Sequence, residues 1–155
     1  MTKRKFRLIA FFICIAIPLI PGFIVGLLTS GQNDIYNTIK TPSFAPPSIL
    51  FPIAWSILYV LMGISLYLIY RNSGTRTNYI LFTAQLVVNL LWPVFFFTFQ
   101  AFSFSFVWLI ILWLLIFAMI LSFYKTFPAA AYLQIPYLLW VTFAGVLNFA
   151  IAALN

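Results

Sequence analysis

The sequence has almost none of the residues that most enzymes use for acid–base or metal chemistry. Its 155 residues include no histidine, no glutamate, one aspartate and one cysteine. Zinc, iron and histidine-ligated haem sites need clusters of such ligands, so we expect no metal and no bound cofactor. The same counts exclude paired-carboxylate catalysis, Ser-His-acid triads and thiol–disulfide relays. The lone Cys14 is predicted to be a small buried apolar residue.

Charged residues are also scarce, at 6% of the chain, whereas hydrophobic residues make up 65% and aromatic residues 21%. A helix needs about 20 apolar residues to cross the hydrocarbon layer, so the chain has room for about five spans. These runs are apolar on all sides, which excludes the alternating strands of a membrane barrel. We expect one domain over residues 1–155, an all-α bundle of five transmembrane helices. The predicted spans are 6–29, 49–70, 78–98, 103–124 and 129–154.

The few basic residues predict the orientation of the chain. If the N-terminus is inside, seven of the eight lie on the inner side, namely Lys3, Arg4, Lys5, Arg7, Arg71, Arg76 and Lys125. Only Lys40 lies outside, beside Asp34. The bias predicts a cytoplasmic N-terminus, an outer C-terminus and an outer loop at 30–48. Because the net charge of +7 flanks membrane spans, a nucleic-acid partner is excluded and the lipid bilayer is the expected surrounding.

The third predicted span carries polar residues on one face. Gln85 and Asn89 are four residues apart and Trp92 follows three later, so all three share that face. An unpaired amide in mid-membrane is costly, so Asn89 is predicted to point into the bundle. Pro93 removes the backbone bond to the Asn89 carbonyl at the same level. Two interpretations stay open, an interhelical hydrogen bond and a ligand contact.

The fifth span repeats this pattern. Trp140, Ala144 and Asn148 recur every four residues, with Leu147 beside them. A small residue between a tryptophan and an amide leaves space, and a tryptophan in mid-span lines either a core or a ligand pocket. Pro136 is predicted to bend this helix.

Other aromatic residues divide into two kinds. Trp55 and Tyr59 of the second span are four residues apart and share a face. Trp108 and Trp113 lie in a uniformly apolar fourth span and are interpreted as lipid-facing or packing residues.

Glycines and prolines mark two further features of the outer half. Gly22 and Gly26 have the spacing that permits close helix contact in lipid, either within the bundle or in a dimer. The stretch "TPSFAPP" is predicted to be stiff and extended, because each X-Pro pair restricts the preceding residue. The loop 30–48 is therefore either a lid or a plain connector. Pro52 is predicted to lie in the first turn of the second helix, where its missing N–H costs little.

Three stretches together resemble one family. "KTPSFAPPSILFPIAWSILYVLMG", "AQLVVNLLWPVFFF" and "PYLLWVTFAGVLN" are similar, in order and over nearly the whole chain, to the main motifs of the tryptophan-rich sensory protein and translocator protein (TspO/MBR) family. The resemblance implies a five-helix bundle, often a homodimer, with a ligand cavity roofed by the first loop. Ligands of the family are porphyrins, cholesterol in animal members, and synthetic isoquinolines and benzodiazepines.

The resemblance also implies a set of pocket residues. Matched by motif, they are Trp55, Asn89, Trp92, Trp140, Ala144 and Leu147. Tyr59 joins this set because it shares the face of Trp55, and Phe104 because it stands where animal members have another pocket tryptophan. Phe44 takes the place of a tryptophan in the family's loop motif. The sterol motif lacks its tyrosine and basic residue, so cholesterol recognition is not expected.

The sequence supports three functional hypotheses. The first is a receptor for flat hydrophobic ligands, most plausibly protoporphyrin IX. The second is a porphyrin-degrading enzyme, in which Trp55 and Trp140 are the catalytic residues of an oxidative or light-driven reaction, as the resemblance implies. The third is a small-molecule transporter or membrane scaffold, although the spans lack the ionisable residues usual in ion-coupled transport.

Overall fold

The computed structural model describes residues 3–30 and 38–155, with side chains for 5–29 and 38–155. All regular secondary structure in these residues is helical, comprising α1 (Lys3–Ser30), α2 (Leu50–Arg71), α3 (Arg76–Pro93) with a π-helical extension (Val94–Thr98), α4 (Phe102–Thr126), α5 (Pro128–Tyr132) and α6 (Ile135–Leu154). Five stretches of the described chain are long and apolar enough to cross a membrane: Lys5–Thr29, Leu50–Arg71, Arg76–Thr98, Phe102–Thr126 and Pro128–Leu154. The predicted fold class is confirmed, and each predicted span agrees with an observed one to within a few residues.

The helices form a closed ring. α1 packs against α2 and α3, α3 packs against α4, and α4 packs against α5 and α6. α5 also contacts α2 and closes the ring. The inward faces of α2, α3 and α6 carry buried polar side chains, which is the arrangement that hydrocarbon surroundings require.

A glycine permits the close approach of α1 and α2. A Cβ atom at Gly63 would collide with the Ile15 backbone and would lie 2.9 Å from the Cys14 carbonyl oxygen. Cys14 is buried, as predicted, and it is a free cysteine. The close contact fixes α2, and with it Trp55 and Tyr59, against α1.

Pro93 and Pro136 act differently. After Pro93 the third span continues as the π-helical extension, in which Phe99 N donates to Val94 O at 3.1 Å. Pro136 was predicted to bend the fifth span, and the structure interrupts the helix at this level, with α5 ending at Tyr132 and α6 beginning at Ile135. Pro136 thus lies in the first turn of a new helix, where no backbone bond is lost. The break leaves Gln134 buried at the α5–α6 junction.

The described end of the first loop is held by short turns and by the last helix. Ala45 N donates to Pro42 O at 3.0 Å, and Pro52 lies in the first turn of α2 as predicted. Asn155 makes two hydrogen bonds with the backbone of Lys40, which shows that this loop and the end of α6 lie at the same end of the bundle. Residues 31–37 of the predicted lid, including Asp34, lie outside the described residues.

Candidate functional site

A chain of hydrogen bonds crosses the centre of the bundle. Tyr59 Oη donates to Asn89 Oδ1 at 2.8 Å, and Asn89 Nδ2 donates to Tyr137 Oη at 2.9 Å. Tyr137 Oη donates in turn to Gln85 Oε1 at 2.8 Å. All four side chains are buried, so these bonds link α2, α3 and α6 away from lipid. The interhelical hydrogen bond predicted for Asn89 is present, and it links three helices rather than two.

Aromatic rings lie against this chain. Trp55 stacks on Tyr59 with ring centroids 5.6 Å apart and meets Tyr137 edge-on at 6.1 Å. Trp140 meets Phe51 of the first turn of α2 edge-on at 6.0 Å. Trp55 and Trp140 are only partly buried, so each retains an accessible ring surface. The hydrogen bonds hold Tyr59 and Tyr137 rigid, and the two tyrosines in turn orient Trp55.

One polar atom of this aromatic group lacks a partner. Trp140 Nε1 is buried and makes no hydrogen bond within the described residues. An indole N–H that is buried usually finds an acceptor. The site therefore combines ring surfaces with one unused hydrogen-bond donor.

Gly22 makes room for Tyr59. A Cβ atom at Gly22 would lie 2.5 Å from Tyr59 Cζ and 2.7 Å from its Cδ2, so only glycine allows the phenol to reach Asn89. A Cβ atom at Gly26 would meet no atom within 4 Å. Of the two interpretations given to these glycines, intramolecular packing holds for Gly22.

A second set of hydrogen bonds braces the bundle next to the chain. Trp92 Nε1 donates to Asn148 Oδ1 at 3.2 Å, and Asn148 Nδ2 donates to Phe102 O at 2.8 Å. Trp92 is buried, as are Ala144 and Leu147 on the inward face of α6. The brace fixes the levels of α3, α4 and α6 relative to one another.

Phe44 and Phe104 lie apart from the central chain. Phe44 is 49% exposed and belongs to the turn that Pro42 and Ala45 close. Phe104 is also 49% exposed, and its ring contacts Phe95 at 4.9 Å and Trp108 at 5.8 Å. The structure thus brings together Trp55, Tyr59 and Asn89 at the central chain. Trp140 lies about one turn beyond Tyr137 on α6 and contacts Phe51, and Phe44 and Phe104 lie apart from the chain.

Trp108 and Trp113 pack between helices, which is one of the two roles predicted for them. Trp108 Nε1 donates to Val88 O, and Trp113 Nε1 donates to Thr142 Oγ1, each at 2.8 Å. Trp113 also borders an apolar groove of about 390 Å³ between α4 and α6. Its lining residues are Phe106, Leu109, Ile110, Trp113, Val141, Thr142, Gly145, Val146 and Phe149.

The end of the loop forms a clasp with α6. Lys40 N donates to Asn155 Oδ1 at 3.0 Å, and Asn155 Nδ2 donates to Lys40 O at 2.9 Å. Asn155 Nδ2 also donates to Ile151 O, which orients the amide. We call this pair of residues the Lys40–Asn155 clasp. It tethers the described end of the predicted lid to the C-terminal end of α6.

The sequence interpretation overlooked Tyr137 and Gln134. Tyr137 is fully buried and links Asn89 to Gln85, and Gln134 is fully buried on the preceding turn. Tyr137 lies three residues before Trp140 and seven before Ala144, so its shared face was visible in the spacing. Gln134 carried no such signal because the break before α6 was not expected.

Comparisons with known proteins agree with this architecture. The model of the TspO/MBR family matches residues 14–154. The chain is 35% identical to the tryptophan-rich protein TspO of Chlorobaculum tepidum over 148 residues, which is 92% of this chain and 94% of that protein. It is 39% identical to the protein of the same name from Archaeoglobus fulgidus, over 77% of this chain and 79% of that protein. It is 30% identical to the translocator protein of Bos taurus, over 86% of this chain and 82% of that protein. The chain therefore belongs to the TspO/MBR family, and it is a multi-pass integral membrane protein of the receptor or sensory type.

Proposed function

We propose that the protein is a membrane receptor for a flat, largely apolar ligand, and that protoporphyrin IX is a ligand of this class. The observation that carries the proposal is the ring of Trp55, stacked on Tyr59 and held by the hydrogen bond from Tyr59 to Asn89. A rigid, partly exposed indole offers a planar ligand a stacking surface at little cost in conformational entropy.

The chemistry of the surroundings suits such a ligand. Trp140 Nε1 has a hydrogen to donate to an acceptor on a ligand that displaces the side chains covering this buried atom. The propionate groups of a porphyrin should not be buried unpaired, so they would stay at the entrance. Lys40 is exposed in the loop near the C-terminal end of α6, and its clasp to Asn155 uses only the backbone atoms of the lysine, which leaves its ammonium group available to a carboxylate.

Titration of the purified protein in detergent tests the proposal. Protoporphyrin IX should quench tryptophan fluorescence saturably, with one ligand bound per chain. N-acetyltryptophanamide in the same micelles is the control for ligand that merely partitions into detergent. Quenching that rises without saturation, as in the control, would contradict a receptor for this ligand.

Breakdown of the ligand is the second candidate function. It is favoured by the contact of Trp55 with both Tyr59 and Tyr137, because indole and phenol rings are the redox-active groups available beside the site. Porphyrin absorbance recorded under light in the presence of oxygen distinguishes the two functions. A receptor leaves the absorbance at the level of a protein-free sample, whereas an enzyme bleaches it faster, and Trp55→Phe slows that bleaching.

We also propose that the N-terminus lies in the cytoplasm. With this orientation seven of the eight basic residues lie on the inner side of the membrane, as the positive-inside rule requires. A single cysteine introduced at Lys125 in a Cys14→Ser background should resist a membrane-impermeant maleimide in intact cells. A cysteine at Asn155 should react with it, and the reverse pattern would overturn the assignment.

We propose further that the protein forms a homodimer. α1 has many exposed apolar side chains, and Gly26 faces open space, so a second copy has a surface on which to pack. A cysteine at Gly26 should form a disulfide-linked dimer in membranes. A monomeric mass in several mild detergents, together with no crosslink at Gly26, would contradict this interface.

A further inference from the structure

Two glutamines lie buried on the inner side of the hydrogen-bonded chain. Gln85 and Gln134 have no exposed surface. Gln85 Nε2, Gln134 Nε2 and Gln134 Oε1 have no hydrogen-bond partner within the described residues. Each buried polar atom left unpaired costs roughly 1–3 kcal/mol. Three in one bundle therefore point to a partner of another kind.

The direction of side chains on α6 favours a position of the two amides at the same level. Tyr137 Oη donates to Gln85 Oε1, so the Gln85 amide lies at the tip of the Tyr137 side chain. Side chains on a helix lean toward its N-terminus, and the Tyr137 phenol therefore leans over the turn that contains Gln134. The Gln134 backbone is already paired, with Ala131 O and Leu138 N, so only its amide group seeks a partner.

The direction of the hydrogen-bonded chain defines what fits between these amides. From Tyr59 to Asn89, Tyr137 and Gln85, every donor points toward Gln85. The next donor in this direction is Gln85 Nε2, and the next acceptor is Gln134 Oε1. The occupant must accept one hydrogen bond and donate another, and it should be neutral because the tyrosines and amides of the chain carry no charge at neutral pH.

We propose that Gln85 and Gln134 bind a buried water molecule that accepts from Gln85 Nε2 and donates to Gln134 Oε1. Buried waters typically make two to four hydrogen bonds to protein groups that would otherwise be unpaired. The water extends the chain by one link in the same direction, and aligned hydrogen bonds polarise one another. It thereby supports Tyr137 and Asn89 from the inner side. This inference does not depend on the identity of the ligand.

Nuclear magnetic resonance of protein labelled with ¹⁵N only in glutamine tests the water directly. The sequence has four glutamines, so the side-chain amide spectrum is simple. The amide protons of Gln85 and Gln134 should show cross-relaxation with a water that tumbles with the protein, separated from chemical exchange in the rotating frame. Gln100 is exposed and serves as the control, with only short-lived water contacts expected. Absence of this signal at both Gln85 and Gln134 would overturn the proposal.

A variant at Gln134 gives an independent readout. Gln134→Met keeps the length of the side chain but removes its polar atoms. If the water is present, the variant removes the acceptor to which it donates. Tm should then fall by about 3 °C, and the water signal at Gln85 should be lost. If the amide is unpaired, the same change removes a buried polar group and Tm should rise, which contradicts the proposal. Gln100→Met is the matched control and should leave Tm unchanged.

Discussion

The two faces of α6 differ in how they pack against neighbouring helices. The inward face carries Tyr137, Ala144 and Asn148, and its polar atoms bond to α3 and to the α4 backbone. The outward face carries Thr142, Gly145 and other residues that line an apolar groove against α4. The outer groove is lined mainly by apolar side chains, with one hydrogen bond from Trp113 to Thr142, whereas several linked hydrogen bonds define the inner site.

The comparison explains why five tryptophans do not mean five site residues. Trp108 and Trp113 use their indole N–H groups to join helices, as Trp92 does through Asn148. Trp55 instead stacks on a tyrosine that the central chain holds, and the N–H of Trp140 has no hydrogen-bond partner in the part of the chain that the structure describes. Partnering of the indole, rather than its presence, separates the candidate site residues from the structural ones.

Loss of Asn89 should have the largest effect on the inward face. Asn89→Leu leaves both Tyr59 and Tyr137 without their amide partner, and we expect the free energy of unfolding to fall by about 2–4 kcal/mol. Thr142→Val breaks two exposed hydrogen bonds on the outward face, one from Trp113 Nε1 and one to Leu138 O, and should cost less, about 1 kcal/mol. Unfolding in mixed micelles measures both values, and equal losses would remove the distinction between the faces.

A methyl group at Gly22 should disturb the chain from the side of α1. Gly22→Ala pushes the Tyr59 ring away from Asn89 and should lower stability by about 1–3 kcal/mol, as overpacking does. In monomeric protein a methyl group at Gly26 meets open space, and there we expect Gly26→Ala to be neutral or to stabilise the helix by up to about 1 kcal/mol. Thermal unfolding of the pair, with a hydrogen-exchange measurement at α2, checks this. Matching Tm values for the two variants would show that Gly22 has no special role.

Phenylalanine replacements should separate the tryptophans by function. Trp55→Phe and Trp140→Phe should reduce porphyrin affinity at least tenfold while lowering stability only modestly, by roughly 1–3 kcal/mol. Trp108→Phe and Trp113→Phe should lose stability to a similar degree and keep their affinity. The measurement is the fluorescence titration paired with thermal unfolding of each variant. Affinity that follows Tm at all four positions would leave the fold intact and refute the site.

The smallest effect is expected at the Lys40–Asn155 clasp. Asn155→Ala removes two exposed hydrogen bonds to Lys40 and one to Ile151 O, so stability should change by about 1 kcal/mol or less. Because the clasp tethers the loop to the end of α6, amide hydrogen exchange at residues 38–45 should accelerate, and ligand should leave faster. The control is Asn72→Ala, which removes an exposed hydrogen bond from the Asn72 side chain to Leu68 O at the other end of α2. Unchanged exchange at residues 38–45 would mean that the clasp does not hold the loop.

The sequence predicts the spans well because hydrocarbon surroundings require long apolar helices, and this requirement is local. The inward face of α3 was also predictable, because the amide groups of Gln85 and Asn89 would cost free energy if they faced lipid without hydrogen-bond partners. The break at Pro136 was not, because a proline both bends and begins helices and the choice depends on how α5 packs. The positions of Phe44 and Phe104 likewise depend on tertiary contacts, which spacing along one helix does not encode.

The structure of the complex with protoporphyrin IX tests the central proposal most directly. We expect the porphyrin to lie between α2, α3 and α6. Its plane should lie against the Trp55 ring, with an acceptor atom at Trp140 Nε1. A porphyrin found instead in the groove lined by Phe106, Trp113 and Phe149, with the central rings untouched, would contradict it.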